Sequence, residues 1–317
     1  MVDGPALRIV FFGTPMFSVP SFEALLHSRH ALVGVVTQRD RPRGRGQRTS
    51  EPPVKTRALA AGLPVLQPER LKDEAFLERL AELHADLGVV AAYGKLLTDP
   101  VLAAPRLGLI NVHASLLPRY RGAAPIHRAV MNGERETGVT LMRVVKALDA
   151  GPMLATARRP IGPNETSEEV ERALAQLGAD LLIPTIDRIA SGPLEGTGQD
   201  DAASTYAPRL TKEEGAINWT MTAERVHNLI RGLHPWPHAF TFFRGRRLIV
   251  LHSVVSLGPT GHPGTILEAG ADRLVVAAGR DAVAITEIQV EGKRPMTARE
   301  FLAGHPLAVG EVLTPQP

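Results

Sequence analysis

The segment Asn111-Val112-His113-Ala114-Ser115-Leu116-Leu117-Pro118 sets an amide and an imidazole two residues apart at the end of an apolar run. Alternate side chains of a strand point the same way, so Asn111 and His113 share one face while Val112 packs on the other. An amide donor beside a titratable ring can bind a developing oxyanion, an interaction of about 2.7–4 kcal/mol per donor in enzymes that use it. A carboxylate completes the set. Asp149, in Leu148-Asp149-Ala150-Gly151-Pro152, follows the strand-like run Val139–Val144 and is placed to hold the tautomer of His113 and offset its charge. Taken singly, each residue also has an ordinary explanation: Asn as a strand-end turn former, His as a satisfied structural residue, Asp as a loop cap. The continuation Ser115 to Pro125 carries apolar groups, cations and small residues where a strand should hand over to a helix, as a binding loop does.

The elements that must position these residues follow from the hydrophobic pattern. Leu7-Arg8-Ile9-Val10-Phe11-Phe12 is nearly continuous in apolar residues and ends in Gly13-Thr14-Pro15, which suits a strand buried on both faces and a tight turn into a helix. Leu32–Val36 and Leu87–Ala91 have the same character, Leu109–His113 is a shorter version, and helical stretches such as Glu74–Leu83 lie between. Alternating strand and helix predict an α/β fold, a doubly wound, mostly parallel, Rossmann-like sheet whose ligands bind beyond the carboxyl ends of the strands. Asn111 and His113 occupy that place. The first strand-to-helix turn lacks the second and third glycines of a dinucleotide fingerprint and carries Pro15, which disfavours a nicotinamide or flavin dinucleotide.

A helix-like stretch, Ser167–Ala190, gives way to Ser191-Gly192-Pro193-Leu194-Glu195-Gly196-Thr197-Gly198-Gln199-Asp200, rich in breakers and polar groups. The predicted organisation is a catalytic α/β domain over 1–190, a linker over 191–210 and a second domain over 211–317. In the second domain a helix at Ala223–Leu233 is stopped by Pro235 and Pro237, and the short runs Ala239–Phe243, Arg246–Leu251, Leu274–Ala277 and Ala282–Ile288 predict a small, OB-like β-barrel.

Composition narrows the chemistry. Of 317 residues 44% are hydrophobic and 22% charged, and no apolar run approaches the ~20 residues that cross a bilayer, so no membrane role and a cytoplasmic location are expected. The start lacks the basic-then-apolar pattern of a signal peptide. With no cysteine, disulfides, Cys-ligated zinc, iron–sulfur clusters and thiolate nucleophiles are all excluded. His127, His227, His234 and His252 show no metal-ligand spacing, and no metal is expected. A net charge of +3 permits an anionic partner without requiring one.

Asn111 to Pro118, followed by Arg119-Tyr120-Arg121-Gly122-Ala123-Ala124-Pro125 and by Asp149, resembles the motif of the folate-dependent formyltransferases, specifically those that act on methionyl-tRNA. Phe12-Gly13-Thr14-Pro15, Thr37-Gln38, Ala92-Tyr93-Gly94, Thr137-Gly138-Val139-Thr140, Lys212-Glu213-Glu214 and Pro235-Trp236-Pro237 fall in the matching order, so the resemblance spans nearly the whole chain. It implies that Asn111, His113 and Asp149 are catalytic and that Ser115, Leu116, Leu117 and Pro118 line a tetrahydrofolate site. It further implies that the α-amino group of initiator methionyl-tRNA attacks the formyl carbon of 10-formyltetrahydrofolate, for translation initiation. Asn111 and protonated His113 would stabilise the oxyanion, and Asp149 would support His113 and relay the proton, with no metal and no covalent enzyme intermediate.

The run Gln38-Arg39-Asp40-Arg41-Pro42-Arg43-Gly44-Arg45-Gly46-Gln47-Arg48 is far more basic than the chain average. Its composition fits phosphate contacts and a solvated surface loop equally. The resemblance matches it to an insertion that reaches the acceptor stem and 3′ end of the tRNA, with Arg45 the first candidate for a contact, Arg43 the next, and Arg41 and Arg48 beside them. Arg244-Gly245-Arg246-Arg247 reads as a basic hairpin turn, and a monomer is expected. Competing readings are a formyltransferase for a small amine (glycinamide ribonucleotide or an amino sugar), a formyltetrahydrofolate hydrolase, and a non-catalytic RNA-binding protein. A small acceptor requires neither the basic loop nor a second domain.

Overall fold

The computed structural model describes residues 4–43, 48–258, 260–270 and 272–316, with backbone alone at 42, 43, 48 and 49. The strands in chain order begin with β1 (Arg8–Gly13), β2 (Ala31–Val36), β3 (Arg41–Arg43), β4 (Arg48–Ser50), β5 (Val65–Leu66) and β6 (Leu87–Ala91). They continue with β7 (Leu109–His113), β8 (Arg121–Gly122), β9 (Glu136–Arg143), β10 (Met153–Pro160) and β11 (Tyr206–Ala207). The helices among them are α1 (Val19–Leu26), α2 (Pro53–Ala60), α3 (Glu74–Glu82), α4 (Asp99–Ala103), α5 (Pro125–Met131) and α6 (Ser167–Ser191).

Seven strands form one sheet in the order β10-β9-β7-β6-β1-β2-β5. The pairs β1–β2, β1–β6, β2–β5 and β6–β7 are parallel, and β9 runs antiparallel to β7. The doubly wound, mostly parallel expectation holds. Ile9 to Phe12 are wholly buried, as a strand covered on both faces requires. α3 turns Phe76 and Leu80, four residues apart, into the same core as Val10, Phe12 and Val36. Strand β7 is interior: Asn111 pairs with Val90 on one side and Met142 on the other, and His113 pairs with Thr140. Its reverse face meets α6 at Gly178, where an added Cβ would lie 2.7 Å from Val112 Cγ1. Only a residue without a side chain lets the helix come that close.

The chain groups into two compact units, and neither is one continuous stretch. The first comprises Met1–Ala123, Gly138–Arg159 and Glu171–Ala207, the second Ala124–Thr137, Pro160–Val170 and Pro208–Pro317. The grouping by contact is interleaved, where the sequence predicts 1–190, a linker over 191–210 and 211–317, and two sets of contacts account for the interleaving. Helix α5 packs with the later helix α7 (Ala223–Gly232), whose Gly232 sits against Met131. Residues up to Ala207 pack with the first unit: Thr197 exchanges backbone hydrogen bonds with Met153, and β11 pairs in parallel with β8.

In the second unit β12 (Ala239–Phe243), β13 (Arg246–Ser256), β14 (Ile266–Gly270), β15 (Arg273–Ala277), β16 (Ala282–Val290) and β17 (Met296–Thr297) form an antiparallel sheet, followed by α8 (Ala298–Gly304). The chain's last segment closes it: Phe242 and Thr314 exchange backbone hydrogen bonds across one edge, and Ile266 N–H donates to the Glu311 carbonyl at the other. The expected barrel is therefore present, and its closing strand comes from residues whose pattern gives no strand signal. Arg128 of α5 donates to both carboxylate oxygens of Glu214 and to the carbonyls of Pro208 and Arg209, which gives the motif Lys212-Glu213-Glu214 a structural role. No helix among the described residues is long and apolar enough to cross a membrane.

His234, His238 and His252 cluster in this unit, with ring centroids 5.2 Å and 5.0 Å from His234 to the other two. Glu168 faces His234 at 3.7 Å and Glu287 faces His252 at 3.6 Å. Burial, and then the neighbouring imidazoles, push His238 down to about 4, and burial lowers His234 too. A group whose folded-state value is depressed below its unfolded one binds fewer protons when folded, so stability falls as pH drops from the unfolded value near 6.5 toward 4. Thermal unfolding followed from pH 7 to pH 4 should show this loss in the wild type and less of it in His238→Asn. Asparagine tolerates the positive φ of 69° at this position and does not titrate there.

Candidate functional site

Three loops that follow strands β1, β2 and β6 meet beyond the carboxyl edge of the sheet. Thr14 Oγ1 donates to the Tyr93 carbonyl (3.3 Å), Gln38 Nε2 donates to the same carbonyl (2.8 Å), and Gln38 N–H donates to Thr14 Oγ1 (3.3 Å). Three short motifs far apart in sequence thus form one hydrogen-bonded rim. The Tyr93 ring itself is enclosed, edge-on to Phe12, and desolvation pushes its phenol up to about 12. It belongs to the core, and its phenol is not available to line a cleft.

His113 ends β7 and is 5% exposed. Its Nε2 lies 3.0 Å from the Tyr120 carbonyl. A carbonyl only accepts, so this nitrogen carries a proton and donates it. Nδ1 faces Asp149 Oδ2 at 3.7 Å, beyond direct hydrogen-bonding range. Asn111, two residues earlier and partly exposed, shares that strand face. The structure thus brings His113 and Asp149 together and sets Asn111 on the adjoining position of the same strand.

Asp149 sits in the loop between β9 and β10 at a φ of +49°, a conformation uncommon for residues other than glycine, asparagine and aspartate. What holds it there is polar. Its Oδ2 accepts the Gly122 N–H at 2.9 Å, and the carbonyls of Asp149 and Gly151 each accept from Gln199 Nε2 at 2.8 Å. Gly122 has φ +111°, and an added Cβ would lie 2.5 Å from the ring of Tyr206, so glycine is required by both backbone and space. Tyr120 N–H donates to Thr205 Oγ1 (2.8 Å) and Arg121 N–H to the Thr205 carbonyl (2.8 Å). Sequence reasoning missed Gln199, Thr205 and the Tyr120 carbonyl. Gln199 is hidden in a breaker-rich stretch, and contacts 50 and 78 residues away leave no periodic signal.

The loop after His113 is folded on itself. Ser115 Oγ donates to the Arg119 carbonyl (2.7 Å), Thr140 Oγ1 donates to the Ser115 carbonyl (2.8 Å), and Leu117 N–H donates to Thr140 Oγ1 (3.2 Å). Ser115 and Leu117 are buried, whereas Leu116 and Pro118 are partly exposed. The buried pair shapes the loop and the other pair presents apolar surface.

At the two ends of the basic run β3 and β4 pair antiparallel, Arg43 opposite Arg48. Arg45 lies outside the described residues, and of Arg43 and Arg48 only the backbone is described. Arg41 is exposed and its guanidinium donates to Gln38 Oε1. The base of the β3–β4 pair is anchored by Asp40, which accepts from Gln67 (2.8 Å) and Lys55 (2.6 Å); these bonds hold its carboxyl below the usual range. Among the described residues, no group of three or more His, Asp or Glu side chains is arranged to hold a metal ion.

A family model described as Formyl transferase matches residues 7–186, and one described as Formyl transferase, C-terminal domain, matches residues 209–306. The methionyl-tRNA formyltransferase of Moorella thermoacetica is 47% identical over 97% of this chain and 99% of its own length. That of Acetivibrio thermocellus is 46% identical over 97% and 99%. Among solved structures, HypX from Aquifex aeolicus in complex with tetrahydrofolic acid superposes with a TM-score of 0.67 at 16% identity, covering 97% of this chain and 49% of that one. WlaRD, a sugar 3N-formyl transferase, superposes at 0.68 with 19% identity, over 92% and 100%. At such identities the structural likenesses speak for the fold alone.

Proposed function

The chain belongs to the formyl transferase family, and from that premise we propose that it transfers the formyl group of 10-formyltetrahydrofolate to the α-amino group of initiator methionyl-tRNA, for translation initiation. The observation that carries this reading is His113 at the end of β7, its Nε2 spent on the Tyr120 carbonyl and its Nδ1 turned toward Asp149. The near-full-length likeness to methionyl-tRNA formyltransferases supports the choice of acceptor.

The folate supplies an activated formyl carbon, and the residues beside His113 suit such a molecule: Leu116 and Pro118 offer apolar surface for flat rings on a loop that Ser115 holds in shape. As the amine attacks, a C–N bond forms to the formyl carbon and its oxygen gains charge. The Asn111 amide and His113 Nδ1–H donate to that oxygen; Nε2–H cannot, because Tyr120 already takes it. Asp149 binds Gly122 N–H through Oδ2, which leaves Oδ1 to accept from the amine and take its proton. Cleavage of the bond between the formyl carbon and folate N10 requires a proton at N10; His113 gives its Nδ1 proton there and regains one from Asp149, which holds the proton taken from the amine. No bond to the enzyme forms.

Arg41, Arg43, Arg45 and Arg48 of the basic run are assigned to the acceptor stem and 3′ end of the tRNA. Replacing Arg45 with alanine is expected to raise KM for methionyl-tRNA, spare folate hydrolysis, and reduce the salt slope of binding by about 1 if one phosphate contact is lost. An equal loss in both activities would remove the basic run from the tRNA site. The reading as a whole is tested by mixing the protein with 10-formyltetrahydrofolate and, separately, methionyl-tRNA, glycinamide ribonucleotide and an amino sugar, and following the formyl group by mass. Absence of formylmethionyl-tRNA would refute it.

A further inference from the structure

We propose that Gln199 is a positioning residue for the reaction, holding the Asp149 loop and the Tyr120–Gly122 segment in the relation that His113 requires; the inference rests on the formyl-transfer reading above. Its amide is used completely. Nε2 donates to the carbonyls of Asp149 and Gly151, each at 2.8 Å, while Oε1 accepts from Arg121 Nε at 3.0 Å and Nη2 at 2.9 Å. Two donors and two acceptor positions are all a glutamine amide has.

The residues it joins are the ones that hold the catalytic pair. Arg121 lies between Tyr120, whose carbonyl binds His113 Nε2, and Gly122, whose N–H binds Asp149 Oδ2. Gln199 therefore ties the loop carrying the carboxylate to the strand that grips both the carboxylate and the imidazole. Asp149, at φ +49°, needs such external bonds to stay in place. Gln199 is only half-buried, and its chain neighbours Glu195, Thr197, Gly198 and Asp200 are exposed, so its hydrogen bonds to Asp149, Gly151 and Arg121 are what its side chain contributes.

The chemistry of the amide makes the assignment specific. A carboxylate at this position keeps the bonds from Arg121, with a full charge added, but turns an oxygen toward two carbonyl oxygens. The Q199E side chain would therefore repel the Asp149 loop while strengthening its hold on Arg121. If Gln199 served only to satisfy Arg121, Q199E would be neutral or favourable; if it positions Asp149, Q199E must fail as Q199A does.

The test compares wild type, Q199A and Q199E in formyl transfer, in thermal unfolding, and in the 15N-imidazole NMR spectrum, where the His113 Nε2–H held by the Tyr120 carbonyl reports its geometry without turnover. Both variants are expected to lower kcat about 10- to 100-fold, the range that a displacement near 1 Å produces, with KM for the folate within about threefold of wild type. Both should broaden or lose the His113 Nε2–H resonance while remaining folded. Wild-type kcat per folded molecule in Q199E, or an unchanged resonance in both variants, overturns the proposal. Should the wild type itself fail to formylate methionyl-tRNA, the functional reading falls, and the NMR comparison still decides whether Gln199 positions His113.

Discussion

His113→Ala is expected to lower kcat for formyl transfer by about 10²–10⁴-fold, and Asn111→Ala by about 10²–10³-fold, with KM for either substrate changed far less. In the proposed mechanism both groups act on charge that exists only in the transition state, so their loss leaves ground-state binding nearly intact. The two substitutions differ in what they do to the fold. His113 is buried and donates to the Tyr120 carbonyl, so its removal also deletes a buried hydrogen bond of about 0.5–1.5 kcal/mol. Asn111 is partly exposed, and its backbone, not its side chain, makes the strand pairings to Val90 and Met142. Steady-state kinetics normalised to folded protein, with unfolding measured in parallel, separates the two effects. A defect confined to KM would deny both residues a part in the chemical step.

Much of this arrangement is legible in the sequence because it depends on local pattern. The buried runs at Ile9–Phe12 and Leu109–His113 mark strands, strand alternation puts Asn111 beside His113, and open α/β sheets bind ligands at that end. What escapes depends on contacts between residues distant in sequence. Ser191 to Asp200 has a linker's composition, yet Thr197 pairs with Met153 and Gln199 braces Asp149, because polar groups in an irregular segment can satisfy carbonyls of another loop. Helix α5 is likewise indistinguishable in pattern from a helix of the first sheet, but Gly232 opens space on α7 for Met131. The segment that closes the barrel, near Thr314, lacks alternation since it is short and paired only at isolated positions. The resemblance of the ordered motifs to formyltransferases supplies the chemistry, and hydrogen bonds give several of those motifs a structural place: Thr14, Gln38 and Tyr93 form one rim, Thr140 holds the loop after His113, and Glu214 receives Arg128.

The second large effect is expected at Asp149, where asparagine is the informative replacement. Asp149→Asn keeps the shape, tolerates φ +49°, and still offers an amide oxygen to the Gly122 N–H, so the loop should stay folded. What disappears is the negative charge facing His113 Nδ1 at 3.7 Å and the oxygen able to take a proton from the amine. Loss of a positioned base typically removes about 10²–10⁴-fold of rate, which should appear in kcat, with little change in KM or in the unfolding temperature. Alanine removes more. It leaves the Gly122 N–H without its acceptor, a hydrogen bond to a charged group of about 1.5–3 kcal/mol, and places a residue that does not favour positive φ at a strained position. Asp149→Ala should therefore match the asparagine variant in kcat and fall below it in thermal stability. If asparagine retained wild-type kcat while alanine did not, Asp149 would be a loop-forming residue rather than a proton carrier, and His113 would have to exchange both protons of the reaction without it.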